Sequence, residues 1–294
     1  MKKALVTVAM AVILTAGLMA QTGTARRFGL DDFSRITRVA DPQFAPDGKS
    51  IAVLISKPML DEDRYAAAIY RVDIATEKMQ LVEPPKRISV SYPRWSPDGQ
   101  RIAFLATVGT GSGAHPQVFV VSIRGGSDKQ LTTAPMGVQQ FAWSPDGKTI
   151  AFATDRGGET DFGDLRFGNM RLALYHLDSG TIELLGHMGE GKNINPAWSP
   201  DGRSLAFVSD RTGISNLFLY DFSDGSVYQL TDVFTGVSGI TPFSPALSWA
   251  RQADRLAFAY YENGEYNVYS VDNPRSLRRQ PYEDRPRNDA VANI

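Results

Sequence analysis

Four aspartates recur in one short phrase, Pro-Asp-Gly, at Asp47, Asp98, Asp146 and Asp201. Carboxylates are the usual acids, bases and hard-cation ligands of proteins. These four follow one another at steps of 51, 48 and 55 residues. Such spacing puts one carboxylate in each structural repeat, so the set cannot converge on one ion. Turn chemistry accounts for them: Pro presets φ, Asp bonds its own backbone two residues on, and Gly accepts φ > 0. Two Asp-Arg pairs, Asp155-Arg156 and Asp210-Arg211, follow equivalent apolar runs. Either each pair pins its own hairpin, or the arginines belong to a ring that takes a partner's carboxylate in bidentate fashion. His187, Lys192 and Asn193 make a polar group in one connection and suit a contact surface. Asp61, Glu62 and Asp63, and separately Glu159, Asp161 and Asp164, match no calcium-loop spacing and read as a solvated rim. The Gly109–Gly113 run lacks the Lys-Ser/Thr and helix of a phosphate loop. No Gly-x-Ser-x-Gly elbow occurs, and His115, His176 and His187 follow no nucleophile and acid. His176, inside a strand pattern, reads as a packed residue. Tyr260, Tyr261, Tyr266 and Tyr269 read as wedge packing in the last repeat.

The elements that position these residues come from the repeat itself. Each Pro-Asp-Gly follows an aromatic and precedes a small-hydrophobic run: Phe44 before Ile51-Ala-Val53, Trp95 before Ile102-Ala-Phe104, Trp143 before Ile150-Ala-Phe152, Trp198 before Leu205-Ala-Phe207. A fifth copy, from Trp249 to Phe258, keeps the aromatic and the Leu-Ala-Phe but not the turn. All four tryptophans of the chain occupy this one position. Each copy carries four strand signals. In the fourth they are Pro196–Ser199, Ser204–Ser209, Asn216–Asp221 and Val227–Thr231. Four antiparallel strands in about 50 residues, repeated, are the blades of a β-propeller. A lone blade leaves both faces bare, so blades must stack. The Ala between two large residues is expected from crowding near the axis. The fifth copy lacks a convincing outer strand, so either a terminal strand closes the ring or the ring is incomplete. The Pro-Asp-Gly turns share one face. The other carries the longer segments 57–67, 107–116 and 155–170 and the connections 83–92, 186–195 and 232–245, which makes it the candidate binding face.

With 294 residues and 43% hydrophobic content, the chain can bury a large core, and continuous repetition argues for one domain. A net charge of −1 gives no basis for a nucleic-acid partner. Lys2 and Lys3 precede an apolar run from Ala4 to Met19 and then small residues, the pattern of a secretory signal cleaved after Ala20 or Ala25. Loss of residues 1–20 leaves 29 basic against 32 acidic side chains, a net charge of −3. No cysteine means no disulfide and no thiolate site.

The Trp-Ser-Pro-Asp-Gly-(Lys/Arg)-x-(Ile/Leu)-Ala-Phe phrase resembles the repeat of TolB-like β-propellers, over nearly all of residues 40–272. The same repeat occurs in the N-terminal propeller of prolyl oligopeptidase-family serine peptidases, whose leading segment residues 30–53 resemble. Residues 196–272 resemble periplasmic propellers related to TolB, through Ser209–Phe218 and Gly236–Pro245. The peptidase likeness implies a hydrolase domain bearing a Ser-Asp-His triad, and no residue here matches that motif, so its catalysis is not carried over. The TolB likeness implies a periplasmic interaction scaffold.

The sequence therefore predicts an all-β propeller of about five four-stranded antiparallel blades. Residues 1–20 form a signal peptide, 21–40 an N-terminal lead-in, 41–272 the propeller and 273–294 a charged, disordered tail. The expected function is a non-enzymatic, exported scaffold in the periplasm. It binds a protein or peptide partner of the cell envelope, without cofactor or metal, through Asp155, Arg156, Asp210, Arg211, His187, Lys192 and Asn193. The alternative is a detached propeller of a prolyl oligopeptidase-family peptidase that gates or docks substrate for a hydrolase domain.

Overall fold

The structure, a computed structural model, describes residues 29–283 except 85, 86, 88, 157–159, 161–165, 167 and 240–244. The expected signal peptide, the acids Glu159, Asp161 and Asp164, and residues 284–294 of the expected tail lie outside the described residues. Two compact units are present, one up to Ile36 and one from Thr37 onward. In the first, Leu30–Arg35 form a 3₁₀ helix, and the Gly29 N–H donates to Asp32 Oδ2 at 2.8 Å.

The second unit is an all-β propeller of five antiparallel blades. Blade 1 contains β1 (Arg38–Phe44), β2 (Ser50–Met59), β3 (Arg64–Asp73) and β4 (Met79–Glu83). Blade 2 contains β5 (Val90–Trp95), β6 (Arg101–Val108), β7 (His115–Ser122) and β8 (Lys129–Gln130). Blade 3 contains β9 (Phe141–Trp143), β10 (Thr149–Thr154), β11 (Arg171–His176) and β12 (Thr181–Leu184). Blade 4 contains β13 (Asn193–Trp198), β14 (Ser204–Ser209), β15 (Asn216–Asp221) and β16 (Ser226–Gln229). Blade 5 has three strands, β17 (Leu247–Trp249), β18 (Arg255–Glu262) and β19 (Glu265–Asp272).

The repeated phrase builds the same corner each time. Asp98, Asp146 and Asp201 accept the N–H of Gln100, Lys148 and Arg203 at 3.0–3.1 Å, as the turn reading expects. The serine before each Pro adds a clasp that sequence reasoning missed. Ser96, Ser144 and Ser199 are buried and accept the N–H of Arg101, Thr149 and Ser204 at 2.9–3.0 Å, joining the first two strands. Ala45 stands at this position in blade 1 and has no hydroxyl to offer.

The second strands explain the Ile-Ala-Phe pattern. In β6, β10 and β14 the large residues face the preceding blade and the alanine faces the following one. Ile102 and Phe104 cluster with Ala52 and Ile69 of blade 1, whereas Ala103 clusters with Trp143 of blade 3. Leu205 and Phe207 cluster with Leu172 and Leu174 of blade 3, whereas Ala206 clusters with Trp249 of blade 5. The alanine thus makes room for the next blade's indole, and this contact replaces axial crowding as its reason. A hydrogen bond completes each junction. Nε1 of Trp95 donates to the Gln43 carbonyl, of Trp143 to Arg94 and of Trp198 to Ala142, at 2.9, 3.2 and 3.2 Å. Each acceptor is the residue before the preceding blade's aromatic.

Two expectations change. Segment 57–67 is mostly strand: β2 and β3 pair out to Met59 and Arg64, leaving only residues 60–63 as the turn. Residues 274–283, expected to be disordered, form an ordered strap. Pro274–Leu277 is a 3₁₀ helix, Arg275 bridges Asp201 and Asp254 at 2.7 and 2.8 Å, and Arg278 pairs with Asp221. Further on, the Tyr282 N–H donates to the Val227 carbonyl at 2.7 Å, and its ring meets Phe218 edge-on. The charges that suggested a solvated tail are used on the acids of blades 4 and 5.

Candidate functional site

The inter-blade connections and the second-to-third-strand loops meet on the face opposite the Pro-Asp-Gly turns. Between blades 3 and 4 on this face lies a cavity of about 330 Å³. Met136, Met170 and Ile194 give it apolar walls, and Gln139, Gln140, Asn195, Asp155 and Lys192 bring polar groups to it. Asn195 reaches the lining through a β-bulge: β13 shifts register between Ile194 and Ala197, and Asn195 takes φ 56°. The same bulge recurs three residues before the aromatic at Asp41 and Tyr92, with φ 47° and 55°. Bulges re-aim side chains. Here they bring Asp41 to within 2.8 Å of Arg94, whose guanidinium lies 3.5 Å over the Tyr92 ring. Arg94 and Asp41 were not singled out from the sequence. Their places in the repeat, three residues and one residue ahead of the aromatic, were the available signal.

The residues expected to bind a partner divide into inward and outward sets. Arg211 is buried, correcting its assignment to a partner-facing ring. Its guanidinium donates to Asn193 Oδ1 at 2.7 Å and to Ser209 Oγ at 3.1 Å, and it lies 5.0–5.5 Å from the centroids of Phe207, Phe218 and Tyr282. Asn193 is fully buried too. Its amide donates to the carbonyls of Met170 and Glu190 at 3.0 and 3.1 Å, so it also holds the connection from inside. Asp210 is exposed and accepts the Lys192 N–H at 2.6 Å. Gly191, at φ 62°, packs against this turn so closely that a Cβ there would meet the Arg211 backbone nitrogen at 2.6 Å. Both members of the second Asp-Arg pair therefore pin the connection between blades 3 and 4.

The first pair does the same job on the connection between blades 2 and 3. Asp155 is buried, and its Oδ1 accepts the Met136 N–H at 3.3 Å. Arg156 is half-buried and donates to Thr133 Oγ1 at 2.9 Å. Lys192 and His187 are exposed, and Lys192 joins Asp155 at the cavity. His176 is also partly exposed and pairs with Glu183 across β11 and β12 at 2.9 Å, which corrects its reading as a packed residue. The turn aspartates Asp98, Asp146 and Asp201 have carboxyls held low. Burial alone would raise Asp201, but the Ser199 hydroxyl, the Arg275 guanidinium and the Arg203 N–H outweigh it and bring the value to about 2. Among the described residues, no group of three or more His, Asp or Glu side chains is placed to hold a metal ion.

Comparison with known proteins agrees with this geometry. Residues 33–169 match the TolB β-propeller domain. Over those residues the repeat is similar to that of TolB-like β-propellers. Similar solved structures include TolB from Acinetobacter baumannii, with TM-score 0.58, 23% identity, and coverage of 84% of this chain and 55% of that one. A puromycin hydrolase has TM-score 0.63 and 18% identity over 84% of this chain and 38% of its own. At such identities the likeness is one of fold. Among curated relatives, the uncharacterized peptidase YuxL of Bacillus subtilis is 28% identical over 62% of this chain and 31% of its own length. Tol-Pal system protein TolB of Xanthomonas campestris pv. campestris is 36% identical over 24% of this chain and 16% of its own. The chain thus spans about a third or less of these relatives. Among the described residues no helix is long and apolar enough to cross a membrane.

Proposed function

We propose that the chain is an exported TolB-like scaffold that binds a protein or peptide partner on its long-loop face, at the mouth between blades 3 and 4. The cavity there carries the reading. Its volume of about 330 Å³ is at the lower end of ordinary ligand pockets, and its lining pairs apolar walls with a few polar groups able to fix orientation. Such a site suits one or two side chains of a larger partner. The Asp-Arg pairs hold the connections that shape this mouth, and Lys192, Gln139, Gln140 and Asn195 supply the contacts. Export rests on Lys2, Lys3 and the apolar run from Ala4 to Met19. A cell-envelope partner in the periplasm is the corresponding expectation.

A pull-down from periplasmic extract tests the site. The chain is compared with Lys192→Glu plus Gln140→Glu at the mouth, and with Lys148→Glu on the opposite face. The reading expects one protein retained by the wild type and by Lys148→Glu and lost by the mouth variant. Retention by all three, or by none, removes it.

A second reading is favoured by the peptidase relatives and by the one-third of their length that the chain spans. On it, the propeller gates or docks substrate for a separate hydrolase domain. Co-purification of such a domain with the chain is the outcome it expects.

A further inference from the structure

One carboxylate oxygen beside the cavity between blades 3 and 4 has no donor. Asp155 is 3% exposed and belongs to the cavity lining. Its Oδ1 accepts the Met136 N–H at 3.3 Å, the bond that pins the connection. Its Oδ2 is buried and makes no hydrogen bond. The two cations closest to hand are turned elsewhere. Arg156 donates to Thr133 Oγ1 at 2.9 Å, and Lys192 is exposed. The equivalent Asp210 of blade 4 also pins a connection, through the Lys192 N–H, but it is exposed to water. Buried polar groups are paired in the great majority of cases. The pin at Asp155 uses one oxygen, which leaves the second oxygen and the charge without a structural role.

The rest of the lining suits a cation carried on a long apolar stem. Asp155 and Ala153 are buried, Met170 and Ile194 are half-buried, and Met136 and Lys192 are exposed. Along this gradient, apolar walls separate the acid from the rim. Gln140 and Asn195, both half-buried, bring amides able to bond a peptide backbone. Methionine is unbranched and adaptable, so Met136 and Met170 are the walls that can part to let a stem reach Oδ2.

We infer that this cavity receives a lysine side chain of the partner, with its ammonium on Asp155 Oδ2 and its methylene stem along Met136, Met170 and Ile194. The inference rests on the reading of this mouth as the partner's site and names the residue that the partner brings. A buried charge is stable when it is paired, so pairing favours the occupied cavity. The single free oxygen selects lysine over arginine. A guanidinium grips a carboxylate through two parallel bonds, and Oδ1 is already engaged, whereas an ammonium is a point charge. A free amino terminus has the charge without the stem. Lys192 at the rim repels a second cation, so the lysine is expected beside neutral or acidic neighbours.

The test uses the full chain with isotope-labelled methionine methyls, followed by NMR. It is titrated with lysine capped at both ends, with norleucine and arginine capped likewise, and with alanine amide, whose amino group is free. Capped lysine is expected to shift the Met136 and Met170 signals to saturation, and each of the others to bind at least about tenfold more weakly. Asp155→Asn keeps an acceptor for the Met136 N–H and removes the charge. It is expected to erase the advantage of lysine over norleucine, and to lose the protein that the wild type retains in the pull-down. No saturable response to lysine, or an equal response to norleucine, overturns the inference, while the pull-down judges the mouth separately. Equal or tighter binding of arginine or alanine amide overturns the assignment to lysine. A chain that retains no protein yet selects capped lysine fails the partner reading and not the chemistry of the cavity. Should Asp155→Asn unfold, the ligand series on the wild type decides alone.

Discussion

At the scale of single residues, the Asp-Arg pairs show how one dipeptide serves a connection rather than a ligand. Arg211 and Arg156 occupy the same place in successive blades, yet only Arg211 is enclosed, by three aromatic rings and Asn193. Truncating a donor to a buried acceptor leaves a desolvated oxygen behind, at a cost of about 1–3 kcal/mol. Arg211→Ala is expected to lose about that much in urea unfolding, and Arg156→Ala less than about 1 kcal/mol because its site is partly wet. Equal losses would contradict the inward assignment of Arg211. Asp201 makes a pH prediction. Its carboxyl is held at about 2, below the ordinary value of 3.8. A carboxylate lowered in the folded state stabilises it above the unfolded value and loses that effect as pH falls through the folded value. The strap that Arg275 ties to Asp201 should therefore loosen between pH 4 and 2. Hydrogen exchange over residues 274–283, corrected for intrinsic rate, should rise in that window. In Asp201→Asn that rise should be largely absent. An unchanged profile in the variant would assign the loosening to other groups.

At the scale of elements, the aromatic position decides how blades join. Trp143 is buried, donates to the Arg94 carbonyl and fills the space above Ala103. Trp143→Phe should cost about 1–2 kcal/mol, from the lost hydrogen bond and a small void. Phe44→Leu, at the same repeat position, should cost under about 0.5 kcal/mol because the ring is largely exposed. Urea midpoints for the two variants measure the difference, and a larger loss at Phe44 would mean that its face is covered. Trp249 departs from the series: its indole donates to Asp254 of its own blade at 3.0 Å, and Arg275 bridges Asp254 to Asp201 of blade 4 instead. The strand pattern was legible because alternation and the Pro-Asp-Gly turns are local. In blade 4, Ser204–Ser209 and Asn216–Asp221 are strands with the expected bounds. The strap was not legible, because its order depends on Asp201, Asp221 and Val227, more than 50 residues away in sequence. Likewise, Arg156 and Arg211 look alike in sequence, and only the packing of Phe207, Phe218 and Tyr282 separates them.

At the scale of the whole ring, five copies of one phrase do not make five equal blades. Phe44 and the tryptophans read alike along the chain, so the exposure of Phe44 was not visible there; it depends on which neighbour each aromatic meets. In a repeat array, stability is a sum of intrinsic blade terms and nearest-neighbour interfaces. Blades 2, 3 and 4 each share two clusters, whereas blades 1 and 5 share one. Among the described residues blade 5 has three strands, so β19 is an edge of its sheet. Local opening follows such differences in packing. Hydrogen exchange at low protein concentration should therefore protect β6, β10 and β14 most, and β18 and β19 least, with β2 and β3 between them. The order matters more than the absolute rates. Blade 5 has one interface and three strands, whereas blade 1 has one interface and four. Uniform protection across all five blades would show that the ring unfolds as one unit, and that sharing one cluster rather than two carries no energetic penalty.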